Sequence, residues 1–483
     1  MTVRGNNWYI KEFRRTTLEQ PVQLHQTTER LGTDPLGKLL FRLSLPSVIS
    51  MVTISLYNLV DTFWVAKLGY QSVAALTVVM PFFVLCFAVG IGTGIGANAL
   101  ASRRFGERKI EEANQVVGQV FFLSLLIGII FLLIMNIFPR TILTICGATS
   151  DIMELSRTYL TVLGWGIPFL LLQMVGRNIF HASGDPIRPM VFVILGQVCN
   201  VILDPLFIFG WGFFPKMGIA GAALATVIAN VLSAGLAVYY IVANKTTYRL
   251  KPHHLVPNLP TIIDIYRVGL PSALMNITES VVFALFNNVV AAYGSLALAA
   301  MGIAGRISDL AFMSIEGVAH GLLPIVGFSL GAKLWSRLWG AVKLSSISLV
   351  IVMAVITLCL EIFTSPIVRL FNKDAALLQI AVPGLRIFVS SMVLIGPTIM
   401  FITAFQGLSK GKDAMILSLM RQFIFFVPLL YIIPRFMGLT GVWISLPLSD
   451  ITGFIISGLW LLMEYRRQKK SGLWLEPHTI KAL

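Results

Sequence analysis

Hydrophobic positions along this chain gather into blocks of roughly 20 residues parted by short polar stretches, the length of helix that crosses about 30 Å of hydrocarbon. Twelve such blocks are legible, near 45–66, 73–100, 114–138, 157–180, 188–210, 218–243, 268–292, 298–330, 343–363, 378–405, 415–433 and 438–463. The blocks also repeat. A constant shift of 225 residues lays "LPS" at 45 on "LPS" at 270, Gly69 on Gly294, Gly92, Gly96 and Gly106 on Gly317, Gly321 and Gly331, and Gln197 on Gln422. Six spans, an even number, separate equivalent positions, so the two halves insert with the same orientation. The expected fold is therefore an all-α polytopic membrane protein, its twelve transmembrane helices forming two pseudo-symmetric six-helix lobes (a parallel repeat) around a central cavity. The expected division is a cytoplasmic N-terminal segment 1–44, an N-lobe 45–243, a polar linker 244–267, a C-lobe 268–463 and a cytoplasmic tail 464–483.

Composition strengthens this picture. Of 483 residues 56% are hydrophobic and 12% charged, and the mean hydropathy is +0.83, more apolar surface than a soluble protein of this length could hide. The first 44 residues are polar and contain "KEFRRTT", so no cleavable signal is read there and the first span serves as the insertion signal. With both termini inside, 28 of the 37 Lys and Arg residues fall on inner segments and 6 on outer loops. That bias expects a multi-pass protein of a plasma membrane, such as a bacterial inner membrane. It also assigns the net charge of +15 to membrane topology rather than to nucleic acid. Cys86, Cys146, Cys199 and Cys359 lack metal-site spacing and read as small apolar fillers, and His253 and His254 read as solvated linker residues.

The chemistry lies in charges placed inside the hydrocarbon. An Asp at the centre of a span costs about 3 kcal/mol on insertion scales, so each one calls for a cavity or a partner. The first span carries Tyr57, Asn58 and Asp61; the fifth carries Asn200 and, one turn on, Asp204; the sixth carries Thr226. At about 1.5 Å per residue all lie near one depth, about 10 Å below the outer boundary. Two carboxylates, an amide and a hydroxyl at one level supply hard oxygen ligands for a small cation, or a carboxyl pair that can share a proton. Pro205, directly after Asp204, lacks an N–H and is expected to bend the fifth helix there and free backbone oxygens.

The second half does not copy this set. Phe286, Phe425 and Leu429 stand where Asp61, Asn200 and Asp204 would recur. It has instead Glu279 in span seven, Arg306, Asp309, Glu316 and His320 in span eight, and Asp450 in span twelve. Arg306 and Asp309, three apart on one helix, are expected to pair. Tyr57, Asn58, Glu279, Glu316 and His320 are candidate cavity residues for a small-molecule substrate. The glycines of "VGIGTGIGAN" follow no strand and precede no Lys, so they read as close helix packing rather than a phosphate loop. Trp64, Trp165, Trp211 and Trp443 read as interfacial anchors. No catalytic constellation is found, so an enzyme is not expected.

"SLPSVISMVTISLYNLVDTFWVAKLG", "FHASGDPIRPM", "NVILDPLFIFG" followed by "GIAGAALATVIAN", and "FMSIEGVAHGLLPIVGFSLGA" together resemble the multidrug and toxic compound extrusion family over about residues 38–465. The resemblance implies twelve helices in two lobes forming a V-shaped cavity. It further implies export of drug-like, often cationic molecules by a monomer, without a cofactor, in exchange for protons or sodium ions. The chain most resembles the branch named for DNA-damage-inducible protein F, whose N-lobe site matches Asp61, Asn200, Asp204 and Thr226. That likeness makes the four residues the cation-coupling site, the sodium ligands if sodium is used, and makes Pro46 the point at which helix one bends. In the NorM-like branch the site is in the C-lobe. Glu279, eight residues after Pro271, fits its helix-seven acid, but span ten supplies no second acid, so Glu279 is better read as a substrate contact. The rivals are a lipid-linked oligosaccharide flippase of the same superfamily and a membrane-embedded enzyme.

Overall fold

A computed structural model describes residues 27–212, 214–371 and 374–470, so the expected segment 1–44 is seen from residue 27 and the expected tail 464–483 to residue 470. Twelve apolar spans follow in order: α1 Leu36–Ala66, α2 Tyr70–Gly106, α3 Ile110–Ile137, α4 Met153–Ala182, α5 Ile187–Phe209, α6 Ile219–Val242, α7 Leu259–Ala291, α8 Ser295–Gly331, α9 Trp335–Ile362, α10 Ala375–Val389 with Met392–Gly407, α11 Gly411–Ile432 and α12 Pro434–Lys470. No strand occurs among the described residues. α10 is one span bent by 42° at Ser390 and Ser391. α11 loosens into a π-helical turn over Met420–Phe426, and α12 is interrupted at Gly438, whose φ of 58° suits only glycine without strain.

Several helices begin earlier than hydropathy alone predicts, because a helix continues past the hydrocarbon wherever a neighbour receives it. α1 starts at Leu36, nine residues before the expected 45, with Leu39, Leu40 and Leu43 buried in the C-lobe core. α7 starts at Leu259, inside the expected linker, where the Asn258 side chain caps it by accepting from Thr261 N–H. α1 runs unbroken through Pro46. α5 likewise runs unbroken through Pro205 and ends at Gly210 (φ 72°), so the expected bend beside Asp204 does not interrupt the helix. A proline removes one N–H; tight packing on both sides holds the remaining helical turns together.

The lobes α1–α6 and α7–α12 meet at the end of the bundle that carries the linker and separate toward the other. Glycine makes the approach possible. A methyl group at Gly96 would strike the Ile265 carbonyl, one at Gly106 the Phe328 carbonyl and one at Gly331 the Arg103 carbonyl, while Gly92 and Gly269 pack against each other's backbone. Toward the far end Gly294, Gly302 and Gly305 have nothing within 4 Å. The lobes thus form a V, closed at the linker end. Residues 27–33 add a helical turn across the closure: Arg337 of α9 donates to the Leu31 and Asp34 carbonyls at 2.7 Å each, and Leu31 lies against Gly184 of the N-lobe.

The linker is more ordered than its polarity suggests. Tyr248 is fully buried and donates to the Ile179 carbonyl at 2.8 Å. His254, expected to be solvated, is only 2% exposed; its Nδ1 accepts from Lys251 N–H and its Nε2–H donates to Glu111 at 3.0 Å. That tautomer leaves no lone pair aimed at Glu111, so the Glu111, His253 and His254 cluster is a latch rather than a metal site. Asn114 and Lys251 also donate to the Glu111 carboxylate, at 3.2 and 3.3 Å. Gln119 of α3 completes the latch: its amide donates to the His254 and Val256 carbonyls at 2.7 Å each and accepts from Asn258 N–H at 2.8 Å. Gln119→Ala removes the partner of three backbone groups, of which the His254 carbonyl is buried, and a destabilisation of about 1–3 kcal/mol is expected, read as a lowered unfolding midpoint in detergent. An unchanged midpoint would show that the linker packs without it.

Candidate functional site

A cavity of about 540 Å³ opens between the lobes. α1 lends it Tyr57, Asn58 and Asp61, α6 lends Thr226, and α7 and α8 lend Glu279, Glu316 and His320. All the candidate substrate residues therefore reach one space. Asn200 and Asp204 do not line it; both are fully buried in the N-lobe, directly behind α1.

The N-lobe cluster joins the two positions. Asp61, 8% exposed, brings its carboxyl within hydrogen-bonding reach of that of Asp204. With its amide turned to satisfy both neighbours, Asn200 donates to Asp204 Oδ2 at 2.9 Å and accepts from the Thr226 N–H at 3.0 Å and hydroxyl at 3.2 Å. The Tyr57 hydroxyl meets Thr226 Oγ1 at 3.3 Å, extending the network to the cavity wall. Oδ1 of Asp61 and Oδ1 of Asp204 are both sealed from solvent without a protein partner. Two adjoining carboxylates with no cation beside them repel strongly in a low dielectric, so the arrangement calls for a positive charge between them. Trp64, one turn beyond Asp61, stacks edge-on with Phe209 and Trp211 at 5.9 and 6.1 Å.

The C-lobe holds its charges differently. Arg421 of the π-helical turn pairs with Asp450 at 3.0 Å, and Asp450 also accepts from Ser391 at 2.7 Å, at the bend of α10. Arg306 and Asp309 do not pair: their charged groups stay more than 4.0 Å apart, both side chains being exposed. Trp443 is no interfacial anchor either. It is 3% exposed and packs on Gly384, whereas Trp165 and Trp211 are 63% and 52% exposed.

Tyr159, Arg177 and Arg421 also line the cavity, and none of them is among the residues expected there. Tyr159 of α4, an aromatic within an apolar run, gave no signal. Arg177, also of α4, and Arg421 of α11 count among the 28 Lys and Arg residues of the inner segments, yet both line the cavity. The legible signal was an arginine inside the hydrophobic block 157–180, which has the same claim to a partner as the buried acids.

Similarity to known proteins agrees with this architecture. The MatE family matches residues 46–206 and 271–432, two segments whose starts are offset by the same 225 residues as the internal repeat. The chain is 26% identical over 417 residues to "Multidrug export protein MepA" of Staphylococcus aureus (strain N315), spanning 86% of this chain and 91% of that one. It is 25% identical over 425 residues to a protein named "FAD transporter" of Shewanella oneidensis, spanning 86% and 92%. Among solved structures it superposes with a TM-score of 0.86 on the outward-facing conformation of a multidrug resistance MATE family transporter of the MOP superfamily, 29% identical and covering 92% of this chain and 98% of that one. A twelve-span duplicated bundle, a cavity between its lobes and family matches covering both halves identify this chain as a member of the MatE family, whose members are transporters and not enzymes.

Proposed function

We propose that the protein is a secondary antiporter that exports small organic molecules through the central cavity in exchange for protons, and that Asp61, Asn200, Asp204 and Thr226 form its coupling site. The observation that carries this reading is the contact between the Asp61 and Asp204 carboxyls, one facing the cavity and one behind it. A cation entering from the open end neutralises the pair and weakens the hold on cargo, which leaves outward. Neutralisation reshapes α1, with Pro46 as the point of bending, and loss of the cation restores the charged pair and the unbent helix. Cargo and ion thus exclude one another through α1. The site is of the kind found in the branch of DNA-damage-inducible protein F.

Protons rather than sodium ions are proposed as the coupling ion because two adjoining buried carboxyls can share a proton directly. The lysine and arginine bias supports a plasma membrane, with both termini and the linker cytoplasmic and the open end facing outward. All the elements of the proposed site lie in one chain, which supports a monomer. The flippase alternative is disfavoured by the twelve-span count and by relatives named for drug export. MepA and the "FAD transporter" are about equally similar to this chain, so cargo is set by cavity side chains and not by the fold. Vesicles loaded with a fluorescent organic cation and given separate proton and sodium gradients test the reading. Release is expected with the proton gradient alone; release driven only by sodium would overturn the ion assignment.

A further inference from the structure

The cavity floor carries a positive charge that the proposed exchange of ions leaves unused. Arg177 lies five residues before the closed-end terminus of α4, about 7 Å along the helix, with Asn178 and His181 on the same turns and His320 of α8 opposite. The His181 and His320 rings lie 5.6 Å apart. Among the described residues no carboxylate comes within 4.0 Å of the guanidinium, and its Nε is shut off from solvent with no hydrogen-bond partner. Glu316 attracts it from beyond ion-pair distance. The contrast within the same cavity is Arg421, whose Nε is likewise unpartnered but whose charge Asp450 neutralises at 3.0 Å. Across the seam, Glu279 and Glu316 are exposed to the cavity and make no ion pair with any described residue.

A guanidinium at membrane depth with an unmet donor is costly until an anion docks, and a carboxylate docks best because the guanidinium can grip both its oxygens. The acids of α7 and α8 do the same for an ammonium group. Resting on the reading that cargo occupies this cavity, we propose that Arg177 is an anion-recognising subsite and that the cavity prefers amphoteric cargo, its carboxylate on Arg177 of the N-lobe and its protonated amine on Glu279 and Glu316 of the C-lobe. Such cargo bridges the two lobes, so its hold depends on their separation. A singly charged cation uses only half of the site.

Rhodamine 110 and rhodamine 123 form a matched pair of probes, the second being the methyl ester of the first, so the pair differs by one carboxylate. Binding is measured by fluorescence polarisation with the purified full-length protein in detergent, where no ion gradient exists. The wild type is expected to bind rhodamine 110 about tenfold more tightly than rhodamine 123. Arg177→Gln should lose about tenfold on rhodamine 110 while keeping rhodamine 123 within about twofold, which also reports an intact fold, and Arg177→Lys should keep part of the preference. The proposal is overturned if the wild type shows no preference or if Arg177→Gln retains it. It is also overturned if both Arg177 variants lose the two dyes equally, since the arginine would then only hold the floor together. A failure of proton coupling at Asp61 and Asp204 would leave these gradient-free affinities unchanged, so the two readings fail separately.

Discussion

Asp204→Asn is expected to abolish gradient-driven efflux, by at least about 100-fold, the scale on which removing a residue that must take up a proton is felt. The substitution keeps the shape of the side chain and its acceptor oxygen for Asn200, so the buried network of Asn200, Thr226 and Tyr57 persists and the protein stays folded. What it removes is the charge that a travelling cation must cancel. Asp61→Asn should have the same effect, because the carboxyls adjoin and a site of two that holds one proton has nothing to exchange once either is amide. The double variant should be no worse than the singles, as expected of residues that act as one unit. The measurement is the rate of dye release from energised cells or vesicles at matched expression. Wild-type rates in both single variants would remove the N-lobe cluster from the mechanism.

Gly96→Leu carries the second large effect. Gly96 lies on α2 where it crosses α7, and even a methyl group there strikes the Ile265 carbonyl and crowds Gly269. Backbone cannot yield as a side chain tip does, so relief must come from parting the helices, at a penalty of about 1–3 kcal/mol against the closed linker end. A shift of that size changes the ratio of closed to opened forms by roughly 5- to 150-fold. Transport should fall to a small fraction of wild type, since export requires the linker end to shut behind the cargo. Spin labels at Lys109 and Lys333, exposed in turns of the two lobes at that end, should show a distance distribution moved outward by several ångströms. An unmoved distribution with normal transport would mean that the glycines are not what lets the lobes close. Gly302 of α8, with nothing within 4 Å, is the control: Gly302→Ala should change neither readout.

The fold was legible because hydropathy counts spans directly and duplication fixes their grouping; the 225-residue offset read from paired glycines and LPS motifs recurs in the two family matches. The N-lobe cluster was legible because intramembrane carboxylates are few and two helices place theirs at one depth, beside a hydroxyl from a third. What escaped was any residue whose role depends on a partner distant in sequence. Arg177 and Arg421 looked alike beside span ends, and only packing shows that one finds Asp450 while the other finds no acid. His254 looked like a loop residue because nothing local announces that Gln119, 135 positions away, holds its carbonyl. Spacing of three on a helix brought Arg306 and Asp309 near without pairing them, since both are exposed and no packing holds either side chain in place. The starts of α1 and α7 were misjudged for a related reason: hydropathy marks where lipid ends, and protein contacts decide where the helix does.

Coupling and exchange can be separated in one preparation. Proteoliposomes holding wild type or the Asp61→Asn, Asp204→Asn double variant are loaded with dye and assayed twice, once for equilibrium exchange of dye for dye and once for accumulation against its gradient under an imposed proton gradient. The expected result is that the double variant retains exchange, because its cavity and hinge are intact, and loses accumulation altogether. Accumulation at wild-type levels without either carboxyl would contradict the claim that their contact couples ion to cargo.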